Sequence, residues 1–274
     1  MITNTELEYK GDLYPTKIVS YEHEAGSISF YTDNNVILKV TVLNDNLIRF
    51  RFTTKGYFSN DFSYAIDKSH VHGYNFLEVS DEKEYYQIKT SEVKCKIQKI
   101  DMRLSIFDLE GNVILEDELG FHWEESYEFG GNIVKMSKSS KDGECFYGLG
   151  DKATHLNLKG KRVENFATDQ YAFQKDQEPL YKVVPFYIGL HNKKSYGIFF
   201  DNTFRTYFDF CYERRNVTSY WAEGGEMNYY FIYGPEMQEV VTSRSQTALW
   251  NMYPCPDSSQ EVSALLSNPD LIYP

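Results

Sequence analysis

Val36 to Phe52 reads VILKVTVLNDNLIRFRF. Val36, Leu38, Val40 and Val42 alternate with Lys39 and Thr41; after Asn44-Asp45-Asn46, Ile48, Phe50 and Phe52 alternate with Arg49 and Arg51. A period of two sends one set of side chains to a buried face and the other to a wet one, the signature of a strand. The Asn/Asp cluster between the two runs is a turn signal. The same rhythm recurs at Val93, Cys95 and Ile97, which alternate with Lys94 and Lys96. Turn residues also stand at Asp33-Asn34-Asn35 and Glu110-Gly111-Asn112.

Further strands are expected near 27–32, 84–90, 102–108, 132–137, 145–149, 183–190, 195–201, 204–211 and 227–233. No amphipathic helix stands out before about residue 235. Many short strands with close turns predict an all-β fold, an antiparallel β-sandwich. A sandwich of this size can be one domain, so one core is expected over residues 1–234. At Gly234-Pro235 the character changes. Proline at a first helical position, followed by Glu236, Glu239, Val240 and Val241, reads as a helix start. Residues 235–274 are expected to be a short helical and irregular tail, with a second short helix around 259–267.

The bulk numbers narrow the function. Aromatic residues make up 16% of the 274-residue chain, with 23 Tyr and 19 Phe. Rings suit pleated strands, where they pack against cross-strand neighbours. Their flat apolar faces also suit sugar rings. A net charge of −12 repels phosphate backbones, so nucleic-acid binding is not expected. No run approaches the ~18 apolar residues of a membrane span. MITNTELEYKGD has neither a basic start nor an apolar core, so no signal peptide is read. Cys95, Cys145, Cys211 and Cys255 lie far apart with no CxxC pair. They read as reduced thiols, and the expected location is cytoplasmic.

Gly148-Leu149-Gly150-Asp151-Lys152-Ala153 formally fits G-x-G-x-x-G/A. A dinucleotide site needs an apolar-periodic helix directly afterwards, whereas THLNLKGKRVEN follows. The glycines therefore read as a tight turn ending a strand. His70 and His72 form an H-x-H pair with no partner at metal-ligand spacing. Neither a metal nor a cofactor is expected. Asp169 and Asp176 sit in a long loop, Glu164 to Tyr181, amid Phe166, Tyr171 and Phe173. Long loops inside compact domains are often functional. A carboxylate among rings could clamp sugar hydroxyls, and an ordinary surface loop would carry the same composition.

At these residues the chain resembles glycoside hydrolase family 31, the α-glucosidases and their relatives. The resemblance runs through Phe146-Tyr147-Gly148-Leu149-Gly150-Asp151-Lys152, Thr168-Asp169-Gln170-Tyr171 and Pro179-Leu180-Tyr181-Lys182. It continues through Pro185-Phe186-Tyr187-Ile188-Gly189-Leu190, Tyr196-Gly197-Ile198-Phe199-Phe200-Asp201-Asn202 and Tyr230-Phe231-Ile232-Tyr233-Gly234-Pro235. It implies the family's N-terminal galactose-mutarotase-like sandwich, packed against a (β/α)₈ barrel. It further implies retaining hydrolysis of α-glucosides by two barrel carboxylates. The sandwich lends the barrel one loop, corresponding to Phe166–Gln177. Asp169, flanked by Phe166 and Tyr171, is then expected to hold the substrate, an α-glucoside or oligosaccharide, and no catalytic residue is expected here. The family's Trp-x-Asp-Met-Asn-type nucleophile motif is absent, and 33 residues follow Val241 where a barrel needs about 250. The chain is expected to be inactive alone, to meet its barrel in cis or in trans, and to self-associate through the surface the barrel would cover. The rival readings are a stand-alone carbohydrate-binding module and a mutarotase-like enzyme using His155 or His191.

Overall fold

A computed structural model describes residues 11–66, 78–126 and 131–246. Strands are numbered in chain order. One sheet runs β1 (Ile18–Glu24), β2 (Ser27–Thr32), β3 (Ile37–Asn44), β4 (Leu47–Thr53), β17 (Met227–Gly234), β14 (Lys194–Phe200), β13 (Val183–His191), β11 (Cys145–Gly150). The other runs β12 (Lys161–Asn165), β15 (Thr206–Phe210), β16 (Val217–Ala222), β10 (Ile133–Ser139), β9 (Val113–Glu124), β8 (Leu104–Asp108), β7 (Val93–Gln98), β6 (Tyr85–Lys89), β5 (Glu78–Asp81). Every pairing among them is antiparallel. The fold is the expected sandwich.

Its core lies between the sheets. Val36, Leu38, Val40, Val42, Ile48, Phe50 and Phe52 are all fully buried there, as their alternation required. Facing them from the nine-stranded sheet are Cys95, Ile97, Phe121, Met136, Phe208 and Tyr220. The rings stack as well as fill space: Phe52 lies 4.7 Å from Phe121 between centroids, and Phe146 lies 4.7 Å from Phe210. Such pairs add about 0.5–1.5 kcal/mol beyond the area they bury.

The eight-stranded sheet is covered on its outer face too. Every residue of β17 is buried. Tyr229 and Phe231 enter the main core, whereas Tyr230 and Ile232 join a second cluster with Phe186, Ile188, Phe199 and Val240. A strand with two covered faces loses its alternation, hence the unbroken run Tyr-Tyr-Phe-Ile-Tyr. Val240 comes from helix α1 (Met237–Gln246), which lies across this face. Gly197 and Gly234 make the approach possible: a Cβ at either would come within 2.8 Å of Val240. The helix starts two residues later than expected. Pro235 stays with the sheet, its carbonyl accepting the Ser195 N–H at 3.2 Å. The Glu239 carboxylate reaches back to the Glu236 N–H at 2.9 Å, half of a capping box. The helix expected at 259–267 lies outside the described residues.

Candidate functional site

The long loop runs from Phe166 to Lys182, between β12 and β13. Its shape is set at its ends and middle. Lys152, which follows β11, donates from Nζ to the Glu164 carbonyl at 2.9 Å and to Glu178 Oε2 at 3.0 Å. Burial pushes the Lys152 ammonium down and the Glu178 carboxyl up from their ordinary ranges, and their mutual attraction opposes both shifts. The Asp176 N–H donates to the Ala153 carbonyl at 2.7 Å, and its carboxylate accepts from Thr154 Oγ1 and from Lys161 Nζ at 2.9 Å. Those two hydrogen bonds hold the Asp176 carboxyl below its usual range. Thr168 N–H bonds the Leu180 carbonyl at 3.2 Å, and the Tyr181 hydroxyl donates to the Gln170 carbonyl.

The glycines before the loop are architectural, as the sequence indicated. At Gly148 to Gly150 the β11–β13 register slips. Residues 148, 149 and 150 all have positive φ, and this local twist turns Leu149 fully into the core. Side chains at the flanking positions would strike backbone: a Cβ on Gly148 would sit 2.4 Å from the Phe186 carbonyl oxygen of β13, and one on Gly150 2.5 Å from the Lys182 carbonyl oxygen just before it. No phosphate-cradling helix follows.

Within Phe166–Lys182 the acidic residues are Asp169, Asp176 and Glu178. Two of them are engaged in holding the loop. Asp169 is exposed and makes no hydrogen bond or ion pair with a described residue. Tyr171 is 96% exposed two positions on. Phe166 is placed differently. Its ring lies under the Arg205 guanidinium, 4.2 Å from centroid to Cζ, and Arg205 pairs with Glu164 at 2.9 Å. Phe166 also lines a cavity of about 420 Å³ with Tyr64, Asn165, Val184, Phe199 and Phe204, which Asp169 and Tyr171 do not line.

Mutarotase-like chemistry would need a carboxylate converging with His155 or His191 across a groove. His155 is exposed beside Lys175 (3.5 Å), on the clamped side of the loop. His191 lines a separate cavity with Lys141, Lys194 and Asp108. His70 and His72 lie outside the described residues. Among the described residues no group of three or more His, Cys, Asp or Glu is placed to hold a metal ion.

Sequence reasoning missed a charged cluster on the outer face of the eight-stranded sheet. Arg49 grips Asp61 through both terminal nitrogens at 2.9 and 2.7 Å and donates to Asn228 at 2.8 Å. Arg51 meets Glu226 at 2.5 Å and the Ser59 carbonyl at 2.7 Å. Both arginines were expected on a wet face. The segment after β4 folds back over them, and two arginines on one strand face were the available signal.

Residues 37–209 match the model of the glycosyl hydrolase 31 N-terminal galactose mutarotase-like domain. The chain belongs to this family. As a family 31 sandwich it is 27% identical over 224 residues to α-glucosidase 2 of Bacillus thermoamyloliquefaciens, covering 81% of this chain and 27% of that protein. An isomaltosyltransferase from Sporosarcina globispora is 27% identical over 176 residues, 60% of this chain and 16% of that one. Among solved structures, the family 31 dextranase of Flavobacterium johnsoniae, complexed with isomaltotriose, superposes with a TM-score of 0.78 at 27% identity. That match covers 86% of this chain and 28% of the dextranase. The chain thus spans between 16% and 28% of the length of these larger relatives.

Proposed function

We propose that this sandwich is the N-terminal domain of an α-glucosidase-type glycoside hydrolase and supplies one wall of its sugar site. The carrying observation is the clamped loop with a free carboxylate: Asp176 and Glu178 fix the backbone while Asp169 stands exposed near Tyr171. A carboxylate accepting sugar hydroxyls gains about 1.5–3 kcal/mol per charged hydrogen bond. Retaining hydrolysis needs two carboxylates about 5–5.5 Å apart across the scissile bond. One free carboxylate on a loop suits holding a sugar hydroxyl, not breaking a glycosidic bond. The acid and the nucleophile are assigned to a (β/α)₈ barrel, joined in cis or supplied in trans, whose chemistry sits at the ends of its strands. The free thiols of Cys95, Cys145 and Cys211 fit a cytoplasmic protein.

The purified chain is expected to show no turnover of p-nitrophenyl α-glucoside. Turnover that survives Asp169→Ala would refute the assignment. Calorimetry with isomaltose separates the rival reading, because tight binding by the isolated chain would make it a self-sufficient carbohydrate-binding module.

A further inference from the structure

The cavity beneath Phe166 is apolar and open. Around it stand Tyr64 and Phe204, which are 74% and 46% exposed, with Val184, Pro185 and Phe199 as walls. Single exposed rings are ordinary; a group of them around one cavity marks an interaction site. Two of the polar groups in its lining are already engaged. Asp201 accepts from Ser63 at 2.8 Å, and the Asn202 amide donates to the Gly224 and Glu226 carbonyls at 2.9 and 3.1 Å. Asn165, also part of the lining, is 1% exposed, and neither atom of its amide has a partner among the described residues. Buried amides in native proteins are nearly always bonded. The walls are mainly apolar, with fewer converging polar groups than a sugar or nucleotide calls for. An apolar side chain carried on a polypeptide backbone fits better.

The cavity is also continuous with the rest of the outer face. Phe199 and Val184 belong both to its wall and to the cluster that seats Val240 of α1. The chain after β17 therefore crosses the same face. In the relatives, nearly three quarters of the protein lies beyond the matched region.

We infer that the Tyr64–Phe204 cavity is the socket for the domain that accompanies this sandwich, an apolar side chain of that domain filling it above Asn165. The inference rests on the proposed function and adds the place of contact. It also puts the contact at the root of the loop bearing Asp169, so docking and positioning of the loop are coupled.

The test co-expresses the tagged full chain with the part of the Bacillus α-glucosidase 2 that this chain does not match. The unchanged chain should retain that polypeptide. Phe204→Asp should reduce retention by at least about tenfold, the effect of a charge in a desolvated contact. Tyr64→Asp should do the same, and its largely exposed ring makes loss of folding an insufficient explanation. Ile100→Asp, at a 72% exposed position in the β7–β8 turn, should retain the polypeptide fully. Retention by all variants would overturn the inference while leaving the proposed function intact. No retention by the unchanged chain would overturn it as well. A homodimer seen by sedimentation and broken by Tyr64→Asp would assign the socket to a second copy instead.

Discussion

Lys138 and Asp117 face each other at 2.6 Å in the middle of the sandwich, with side chains 2% and 0% exposed. Lys138 also reaches the Tyr229 hydroxyl at 3.0 Å, and Asp117 accepts the Leu104 N–H at 2.8 Å. Removing one partner leaves an uncompensated buried charge. Asp117→Asn or Lys138→Met should each cost about 3–5 kcal/mol in urea unfolding, and replacing both with apolar residues should cost less. Asp108 gives a pH signature. Burial alone would raise its pKa, but bonds from Lys194 Nζ (2.6 Å) and from the Asn112 amide and backbone (both 2.8 Å) outweigh it and hold the group at about 2. Its folded value lies below the unfolded one near 3.8, so the stabilisation is complete above about pH 4 and is lost as pH falls toward 2. The deficit of Asp108→Asn, about 2 kcal/mol at pH 6, should vanish near pH 2 in denaturant titrations. Because Lys194 is on β14 and Asp108 on β8, this bond ties one sheet to the other.

Which elements were legible follows from where they sit. The hairpin from Val36 to Phe52 and the strands at 93–97 and 227–233 were readable because at least one face is dry. Strands β1, β5 and β12 were not, and all three are sheet edges. Six of the seven residues of β1 are exposed, so no alternation survives. In β16 the inward positions are Thr218, Tyr220 and Ala222, a polar, an aromatic and a small residue that do not read as one face. The longest strand, β9, was hidden by a bulge. Ser137 pairs with Gly120 but Lys138 with Asp117, so two extra residues interrupt the alternation between the inward Asp117 and Phe121. The acidic inward residue Asp117 further disguised it. At the β11 bulge the sequence was plain, since three successive positive-φ positions call for glycine at its ends. Gly150→Ala combines strain at φ +79° with contact on the Lys182 backbone and should lose more than ~2 kcal/mol. Gly143→Ala, at the same φ in open space, should lose only about 1 kcal/mol, and thermal unfolding of the pair separates backbone strain from collision.

On the scale of the molecule, the sandwich is a scaffold with one worked face. The loop bearing Asp169, the exposed rings near it and helix α1 all belong to the side where β13, β14 and β17 are covered twice. Asp169 and Tyr171 were legible as candidates from residue type and loop length; that Asp176 and Glu178 are engaged elsewhere, leaving Asp169 free, required coordinates. Phe166 was legible only as an aromatic neighbour, and its place between Arg205 and the cavity came from the fold. The decisive measurement uses this sandwich joined to a family 31 barrel. There kcat/KM for p-nitrophenyl α-glucoside should fall by roughly 30- to 1000-fold on Asp169→Ala, a loss of ~2–4 kcal/mol of transition-state binding, with thermal stability unchanged. An Asp169→Ala enzyme with undiminished kcat/KM would contradict the role assigned to the loop.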